Sequence, residues 1–372
     1  MGDTAGLAGE PGSTGTGKGL SIGRRGAAGL IVLDRSEAQN ALTVAMRAAL
    51  AEAFPRWARD PGVYAVVSRS AVPRAFCVGG DIREMSRLMR EDPARARAGL
   101  AEELRLCWLH ECFSKPTVSL IDGAVMGTGV GISLYGTHRV AGAGYRFAMP
   151  EVRLGYFPDC AVTHAFARMP DHIGLYLALT GRTIGPADAY HLGLVTHCLD
   201  ASHFAAIEAR IAEADPVDPI LDDLHQDPGP APIAADAARI ARYFGHATLT
   251  ATLADLGRAP AADQAWAAAV LSDLARASPL ALRVTDAAVR RAAALDLRET
   301  LAQDYRLAWR FVEAADVQAG VKAVLVEKSG TPAWQHATVE AVSDAAVEAF
   351  FGPLGPDELA LPTRAAMQAA RV

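Results

Sequence analysis

Two glycine-rich turns hold the residue types that could do chemistry in this chain. Residues 74–81 read RAFCVGGD, and residues 122–131 read DGAVMGTGVG. Each turn follows an apolar, strand-like run and leads into a helix-like run. The first N–H groups of a helix have no partner inside the helix and point outward. If the fold brings two such N–H groups together, they can stabilise the negative oxygen that develops on a carbonyl under attack.

Two carboxylates follow the second turn. Glu151 comes twenty residues after Gly131, and Asp159 comes eight residues later, both at chain reversals after a predicted strand at 146–149. Catalytic groups collect at such strand ends and loops. Apolar neighbours can raise the pKa of a carboxyl group, so that it acts as an acid or a base. A polarised carbonyl beside carboxylates indicates acyl chemistry. Taken singly, the glycine residues are also typical of tight turns, and the two carboxylates are also typical of solvated loop acids.

Three other motif-like stretches lack the context that their chemistry needs. Residues 12–19 resemble a phosphate-binding loop, but no strand precedes them, and glycine stands where Ser or Thr would hold magnesium. A dinucleotide pattern at 127–132 fails because Ile132 takes the place of the third glycine. Residues 19–23 spell Gly-x-Ser-x-Gly without a strand before them. The ten histidines show no metal-ligand spacing, so no metal site is predicted.

Composition narrows the possible partners and compartment. The chain has 372 residues, is 51% hydrophobic and carries a net charge of −6, which argues against nucleic acid or anionic lipid as a partner. No apolar run reaches the roughly 18 residues of a membrane span. The five cysteines form no Cys-x-x-Cys pair, and their number is odd, which favours reduced thiols in the cytoplasm.

Strands alternate with helices in the first half of the chain, which predicts an α/β core. The predicted strands lie at 28–33, 64–67, 117–121, 139–141, 146–149 and 194–198, and the helices between them lie at 44–58, 82–89 and 100–112. The whole chain then divides into a flexible leader at 1–20, the α/β core at 21–214, a loop or linker at 215–234 and a helical C-terminal region at 235–372.

Together these motifs resemble those of the crotonase (enoyl-CoA hydratase/isomerase) superfamily. The segments that carry the resemblance are 33–42, 75–85, 122–131, 147–151 and 179–182. The chain is most similar to the branch that hydrolyses 3-hydroxyisobutyryl-CoA. Asp159 stands where hydratases usually carry glycine, Gly131 stands where they carry their first catalytic glutamate, and residues 304–334 follow the hydrolase pattern. The resemblance implies a crotonase-type spiral of strand–strand–helix repeats with a helical C-terminal region.

The resemblance also implies residue roles. The N–H groups of Gly80 and Thr128 would form the oxyanion hole for the thioester carbonyl. Glu151 and Asp159 would be the substrate-contacting and catalytic carboxylates, and Glu103 would contact the substrate. The expected activity is hydrolysis of a short 3-hydroxyacyl-CoA thioester, through an activated water or a covalent anhydride. Coenzyme A enters as part of the substrate, so no separate cofactor is implied, and a homo-oligomer is expected.

Two departures from the family pattern keep alternatives open. Thr128 replaces a glycine, and residues 160–164 replace a glycine-rich segment after Pro-Asp, which changes the wall beside Asp159. An enoyl-CoA hydratase/isomerase and a non-catalytic acyl-CoA-binding scaffold are the competing functions. Arg35 and Arg74 are candidates for binding the coenzyme A phosphates, although solvated surface charges fit them better.

Overall fold

The computed structural model of the protein describes residues 19–327 and 332–372. Within those residues it contains nine strands, in chain order β1 (Leu20–Arg25), β2 (Ala28–Leu33), β3 (Ala65–Ser70), β4 (Arg74–Cys77), β5 (Thr117–Ile121), β6 (Gly123–Met126), β7 (His138–Ala141), β8 (Arg146–Ala148) and β9 (His197–Cys198).

Seventeen α-helices occupy most of the remaining described chain. The helices of the first half are α1 (Val44–Arg59), α2 (Ile82–Glu91), α3 (Pro93–Cys112), α4 (Thr128–Gly131), α5 (Val162–Phe166), α6 (Ile173–Thr180), α7 (Pro186–His191) and α8 (Phe204–Ala212). Those of the second half are α9 (Val217–Leu224), α10 (Ala237–Phe244), α11 (Leu249–Leu256), α12 (Gln264–Ala275), α13 (Pro279–Ala292), α14 (Leu297–Phe311), α15 (Ala315–Val321), α16 (Asp344–Phe351) and α17 (Arg364–Ala369).

The strands form two sheets, and from β3 onward successive strands of the chain alternate between them. The larger sheet has the order β1-β2-β3-β5-β7-β9, and the smaller has the order β4-β6-β8. Apart from the antiparallel β1–β2 pair, all neighbouring strands are parallel. Each repeat gives one strand to the larger sheet and the next to the smaller one. The predicted spiral of strand–strand–helix repeats therefore describes the topology.

Pairing in the smaller sheet positions the two glycine turns. Strands β4 and β6 lie side by side, with Ala75 opposite Ala124 and Cys77 opposite Val125. Because both strands run in the same direction, the turns that follow them emerge at the same edge of the sheet. Asp81 caps the next helix, α2, by accepting hydrogen bonds from the amides of Arg83 and Glu84.

The six predicted strands correspond to β2, β3, β5, β7, β8 and β9, and the bounds agree fully where a strand is buried on both faces. Strands β2 and β5 span the predicted residues 28–33 and 117–121, and every residue in both is buried, as in a covered parallel sheet. Strands β1, β4 and β6 were not predicted. Glycine interrupts β1 and opens β6, and an irregular register between Ala75 and Cys77 shortens the pattern of β4.

Helix α9 lies inside segment 215–234, which the sequence predicts as a loop or linker. Its Val217, Ile220 and Leu221 are fully buried and pack in one cluster with Leu30 and Val118 of the larger sheet. This segment is therefore part of the packed fold. Residues 1–18 of the predicted leader, and with them most of the phosphate-loop-like stretch, lie outside the described residues. Strand β1 begins at Leu20, the last residue assigned to that leader.

The helical C-terminal region packs directly on the α/β core. Leu282 of α13 and Leu301 of α14 belong to the same buried cluster as Leu33 of β2. Ser278 caps α13 as predicted, since its side chain accepts a hydrogen bond from the Ala281 amide. In the part of the chain that the structure describes, no helix is long and apolar enough to cross a membrane.

Candidate active site

The turn after β4 is held by Leu42, which lies just before α1. The Leu42 amide donates to the Gly79 carbonyl at 2.8 Å, and the Asp81 amide donates to the Leu42 carbonyl at the same distance. Gly79 has a φ of +115°, a conformation that side chains rarely adopt. These two hydrogen bonds leave the intervening Gly80 amide without a backbone partner in the described chain.

The second turn lies against the first. A β-carbon placed on Gly79 would be 3.7 Å from the Thr128 nitrogen, and one placed on Gly80 would be 3.1 Å from the Thr128 hydroxyl oxygen. Thr128 is the first residue of α4, and within residues 19–327 and 332–372 its amide has no hydrogen-bond acceptor. Two unpaired donors, Gly80 N–H and Thr128 N–H, therefore meet at one place, where an oxygen gaining negative charge would be stabilised.

Glu151 reaches the same place from the end of β8. It opens a short 3₁₀-helix, Glu151–Leu154, and its Oε1 would be 3.2 Å from a β-carbon placed on Gly127. Its Oε2 is buried and has no hydrogen-bond partner among the described residues. Burial, reinforced by the charge of Asp159, raises the pKa of Glu151 well above its usual value. A carboxyl group in such a place holds its proton to a higher pH than one in water.

Asp159 is the second carboxyl group of the site. Its side chain is almost fully buried, and it follows Phe157-Pro158 at the end of an irregular segment. Burial and the charge of Glu103 raise the pKa of Asp159 to about 8, against the opposing effects of Cys160 and Arg47. Because Asp159 also raises the pKa of Glu151, the two carboxyl groups titrate as a pair.

Glu103 is held by three other side chains. Its Oε2 pairs with Arg47 Nη1 at 3.1 Å, and both side chains are buried. Its Oε1 accepts a hydrogen bond from the Thr128 hydroxyl group and another, at 3.4 Å, from the Cys160 thiol. Glu103 therefore ties the turn at Thr128 to helix α1 and to the segment after Asp159.

All five predicted site residues line one cavity. It encloses about 790 Å³ of space, part of it open to solvent. Besides Gly80, Thr128, Glu103, Glu151 and Asp159, its walls are largely apolar and are formed by Ile82, Met85, Met89, Leu100, Met126, Leu154, Tyr156, Val317 and Val321. An apolar chamber with a few convergent polar groups is typical of a small-molecule site.

Gly131 lies beneath the cavity and is covered by sulfur atoms. A β-carbon at Gly131 would lie 2.9 Å from Cys160 Sγ and 3.0 Å from Cys107 Sγ. Real β-carbons essentially never approach other atoms below 3.0 Å, so a side chain at position 131 would displace at least one thiol. The two cysteines thus fill the space where the resemblance places a hydratase's first glutamate.

Glu103, Asp159 and Cys160 place their ligand atoms within 4.8 Å of one another, the only such cluster among the described residues that could hold a metal ion. The Arg47 guanidinium group, paired with Glu103, puts a positive charge against any cation at this point. The absence of a metal site stays a prediction.

Arg35 differs from its predicted role. It was considered as a ligand of coenzyme A phosphates or as a solvated surface charge. Instead, its Nη2 pairs with Asp81 Oδ2 at 2.7 Å, its Nη1 donates to the Ala41 carbonyl, and its side chain is only 19% exposed. It therefore braces the Gly79-Gly80 turn. Arg74 is exposed at the start of β4 and lies outside the cavity lining.

Arg47 is a site residue that the sequence reasoning missed. It is 2% exposed and lines the cavity, and its Nε and Nη2 have no hydrogen-bond partner in the described chain. A signal exists in the sequence: Val44, Arg47, Leu50 and Phe54 share one buried face of α1. A charged residue on an apolar helix face indicates a buried partner.

Comparisons with known proteins agree with this architecture. A family model described as enoyl-CoA hydratase/isomerase matches residues 28–351. The chain is 32% identical over 349 residues to the mitochondrial 3-hydroxyisobutyryl-CoA hydrolase of Xenopus tropicalis, with 91% of this chain and 90% of that protein covered. It is 29% identical over 349 residues to the protein of the same name from Homo sapiens, with 90% and 89% covered.

Two solved structures are similar over nearly the whole fold. An enoyl-CoA hydratase from Rhodobacter sphaeroides matches with a TM-score of 0.87 and 34% identity, covering 92% of this chain and 100% of that chain. A carnitinyl-CoA dehydratase from Mycobacterium thermoresistibile matches with a TM-score of 0.86 and 35% identity, covering 92% and 99%. The predicted crotonase-type fold is confirmed, and the chain belongs to the enoyl-CoA hydratase/isomerase family.

Proposed function

We propose that this protein hydrolyses a short 3-hydroxyacyl-CoA thioester similar to 3-hydroxyisobutyryl-CoA. The observation that carries the proposal is the convergence of two unpaired amides, Gly80 N–H and Thr128 N–H, with the carboxyl groups of Glu151 and Asp159 on one apolar cavity. The Xenopus tropicalis relative, whose name specifies this hydrolase activity, supports the choice of substrate class. Action on a CoA thioester is common to the family.

The two amides would act on the thioester carbonyl oxygen. Its negative charge grows as a nucleophile adds to the carbonyl carbon, so donors fixed before the reaction stabilise the transition state more than the substrate. Neither donor has to break a hydrogen bond first, because neither amide has a partner in the described structure. Removing one donor of this kind typically costs about 10²–10³ in rate.

The carboxyl pair would manage the proton and the nucleophile. In one route, an ionised carboxylate removes a proton from water as the water oxygen bonds to the carbonyl carbon; the C–S bond then breaks and the other carboxyl group protonates the leaving thiolate. In the second route, the carboxylate itself displaces the thiolate and forms an anhydride, which water then cleaves. The raised pKa values of Glu151 and Asp159 keep a proton available for the leaving thiolate, and the ionised fraction of the pair serves as the base or nucleophile.

Glu103 would select the 3-hydroxyl group of the substrate. A carboxylate offers about four lone-pair positions, and three of those on Glu103 are used by Arg47, Thr128 and Cys160. The remaining position could accept a hydrogen bond from a hydroxyl donor on the acyl chain. An acyl group without that hydroxyl would leave the position unpaired, which is the usual basis of polar discrimination.

The packing around Gly131 favours hydrolysis over hydration. The resemblance gives hydratases a glutamate at this position, but its β-carbon would lie only 2.9 Å from the Cys160 sulfur and 3.0 Å from the Cys107 sulfur. Asp159 supplies the second carboxyl group from another part of the chain. Hydration remains the second candidate, because the similar structures from Rhodobacter sphaeroides and Mycobacterium thermoresistibile are named as a hydratase and a dehydratase.

A panel of acyl-CoA esters tests the proposal. We expect 3-hydroxyisobutyryl-CoA to release free thiol, detected with a chromogenic thiol reagent, faster than 3-hydroxybutyryl-CoA or isobutyryl-CoA. Glu151→Gln and Asp159→Asn should each lower kcat by about 10²–10⁴, the usual share of a general acid or base. Glu340→Gln changes an exposed carboxylate outside the cavity and serves as the matched control.

Two outcomes of the panel would point elsewhere. Loss of enoyl absorbance from crotonyl-CoA without thiol release would identify a hydratase. Tight binding of CoA esters with no product after long incubation would identify a scaffold. Near-wild-type thiol release from both carboxyl variants would contradict the assigned roles.

A further inference from the structure

The turn after Asp159 has an unusual backbone. Cys160 and Ala161 have φ values of +57° and +54°, so two consecutive residues with side chains adopt the left-handed conformation. Side chains disfavour this conformation because the β-carbon approaches the following carbonyl oxygen. Glycine avoids that contact, but neither position here is glycine. The surrounding structure must therefore hold the turn in place.

Two side chains hold this turn from opposite directions. Asp304 Oδ2, on α14, accepts a hydrogen bond from the Ala161 amide at 2.6 Å. The Tyr135 hydroxyl group, from the segment after α4, donates to the Cys160 carbonyl. Ala161 immediately precedes α5, and the Val162 amide at the start of that helix donates to the Asp159 carbonyl at 3.1 Å.

Asp304 has one hydrogen bond among the described residues, the bond from the Ala161 amide. It is 0% exposed, and its Oδ1 has no hydrogen-bond partner among the described residues. Burying a carboxyl group with one hydrogen bond is costly. The bond to Ala161 is therefore the contact that gives this side chain a function.

We propose that Asp304 is a positioning residue: its hydrogen bond to the Ala161 amide holds the Cys160–Ala161 turn in the left-handed conformation and so fixes Asp159 against the cavity. We call this hydrogen bond the Asp304 clamp. It stabilises a left-handed turn that glycine residues would adopt without such support. The inference rests on the proposed function in one respect, since it treats Asp159 as a catalytic residue.

Asp304→Leu and Asp304→Asn separate positioning from mere burial. Leucine removes the acceptor, whereas the asparagine carbonyl oxygen can still accept from Ala161. We expect kcat for 3-hydroxyisobutyryl-CoA to fall about 100-fold in Asp304→Leu, as for a misplaced catalytic group, with KM changed by less than about threefold. Asp304→Asn should remain within about tenfold of the wild type.

Glycine at position 161 should restore part of the activity that Asp304→Leu loses. In the double variant Asp304→Leu/Ala161→Gly, the turn needs no clamp, so we expect kcat to rise at least about tenfold above that of Asp304→Leu. A clamp that acts only through general stability would give no such rescue. If Asp304→Leu does not fold, Asp304→Ala leaves the same amide unpaired and replaces it. Wild-type kcat in folded Asp304→Leu, or no rescue by Ala161→Gly, would overturn the proposal.

Hydrogen exchange separates this proposal from the proposed function. The Ala161 amide should exchange slowly in the wild type and Asp304→Asn, and at least about tenfold faster in Asp304→Leu, measured by mass spectrometry of peptides spanning residues 159–163. This measurement needs no catalytic activity. A wild type that hydrolyses no thioester but shows the exchange pattern would refute the proposed function alone. Equal exchange in wild type and Asp304→Leu would refute the clamp alone.

Discussion

At the scale of single residues, the site is a set of carboxyl groups kept away from water. Glu151, Asp159 and Glu103 share one apolar cavity, and among the described residues Glu103 is the one of the three that forms a salt bridge, with Arg47. Burial and mutual repulsion raise the pKa values of Glu151 and Asp159. Carboxyl groups with such raised pKa values can accept or donate a proton during a reaction, as proton transfer requires.

The first prediction at this scale concerns the pH dependence of activity. Because the pKa of Asp159 is raised to about 8, we expect kcat/KM to change through an apparent pKa near that value. The macroscopic step belongs to the Glu151–Asp159 pair. Asp159→Asn should remove this step from the residual activity. Thiol release measured between pH 5 and pH 10 checks this, and an unchanged profile in Asp159→Asn would contradict it.

The second prediction concerns stability. The pKa of Asp159 rises from 3.8 to about 8 on folding, so between these values the folded chain holds a proton that the unfolded chain has lost. The contribution of Asp159 to stability is therefore greatest below about pH 4 and falls as pH rises to about 8. Asp159→Asn removes this dependence.

The stability of Asp159→Asn relative to the wild type should thus increase by on the order of 4 kcal/mol between pH 5 and pH 9. Urea unfolding at both pH values measures the gain. The control is Glu340→Gln, which is exposed and should show the same pH dependence as the wild type. A constant difference between Asp159→Asn and wild type would show that Asp159 titrates normally in the folded chain.

At the scale of elements, the positions of the Gly80 and Thr128 turns depend on how closely α4 approaches β4. A β-carbon on Gly129 would lie 2.3 Å from the Cys77 carbonyl oxygen and 2.9 Å from the Cys77 β-carbon. Only a residue without a side chain lets the helix lie against the strand here. The same approach brings Thr128 beside Gly80.

We therefore expect Gly129→Ala to separate α4 from β4. It should lower the free energy of unfolding by about 1–3 kcal/mol, as overpacking does, and reduce kcat by at least about tenfold because Thr128 moves with the helix. Gly185→Ala is the matched control, since a β-carbon there meets nothing within 4 Å. Unfolding curves and thiol release measure both effects. Normal activity in Gly129→Ala would show that catalysis does not depend on the position of Thr128.

The sequence predicts elements better than the contacts between them. The apolar runs of β2 and β5 and the capping pattern at Ser278 are local, and the structure confirms them. The glycine turns and the family resemblance together predicted the five site residues. The position of Arg47 on an apolar helix face indicates a buried partner, but neither that partner, Glu103, nor the sulfur contacts of Gly131 could be predicted, because they depend on how α1, α3 and the segment before α5 cross in three dimensions.

At the scale of the whole molecule, the C-terminal helices form one wall of the site. Val317 and Val321 of α15 line the cavity, and Phe311 of α14 stacks on Phe157 with a ring-centroid distance of 5.6 Å. Phe157 stands two residues before Asp159. Core and C-terminal region therefore share both packing and chemistry, so we expect the chain to unfold in one cooperative transition.

Phe311→Ala tests this dependence. Phe311 is fully buried, and truncating a buried phenylalanine typically costs about 3–5 kcal/mol. We expect that loss in urea unfolding, with a single transition, and a fall in kcat at low urea because Phe157 loses its support. Two separate transitions would show that the C-terminal region folds independently of the core.

Assembly and location stay predictions. The homo-oligomer expected from the resemblance can be checked by analytical ultracentrifugation of the full chain, and a monomer at micromolar concentration would contradict it. The predicted cytoplasmic location rests on cysteine usage, and all five cysteines are free and buried. The named relatives, by contrast, are described as mitochondrial, so fractionation of expressing cells is the deciding measurement.

The thiols that cover Gly131 have an evolutionary consequence. A mutation that placed glutamate at position 131 would bring the new β-carbon to 2.9 Å from the Cys160 sulfur and 3.0 Å from the Cys107 sulfur, so at least one thiol would have to move. We therefore expect that a lineage which gains glutamate at this position also changes Cys107 or Cys160.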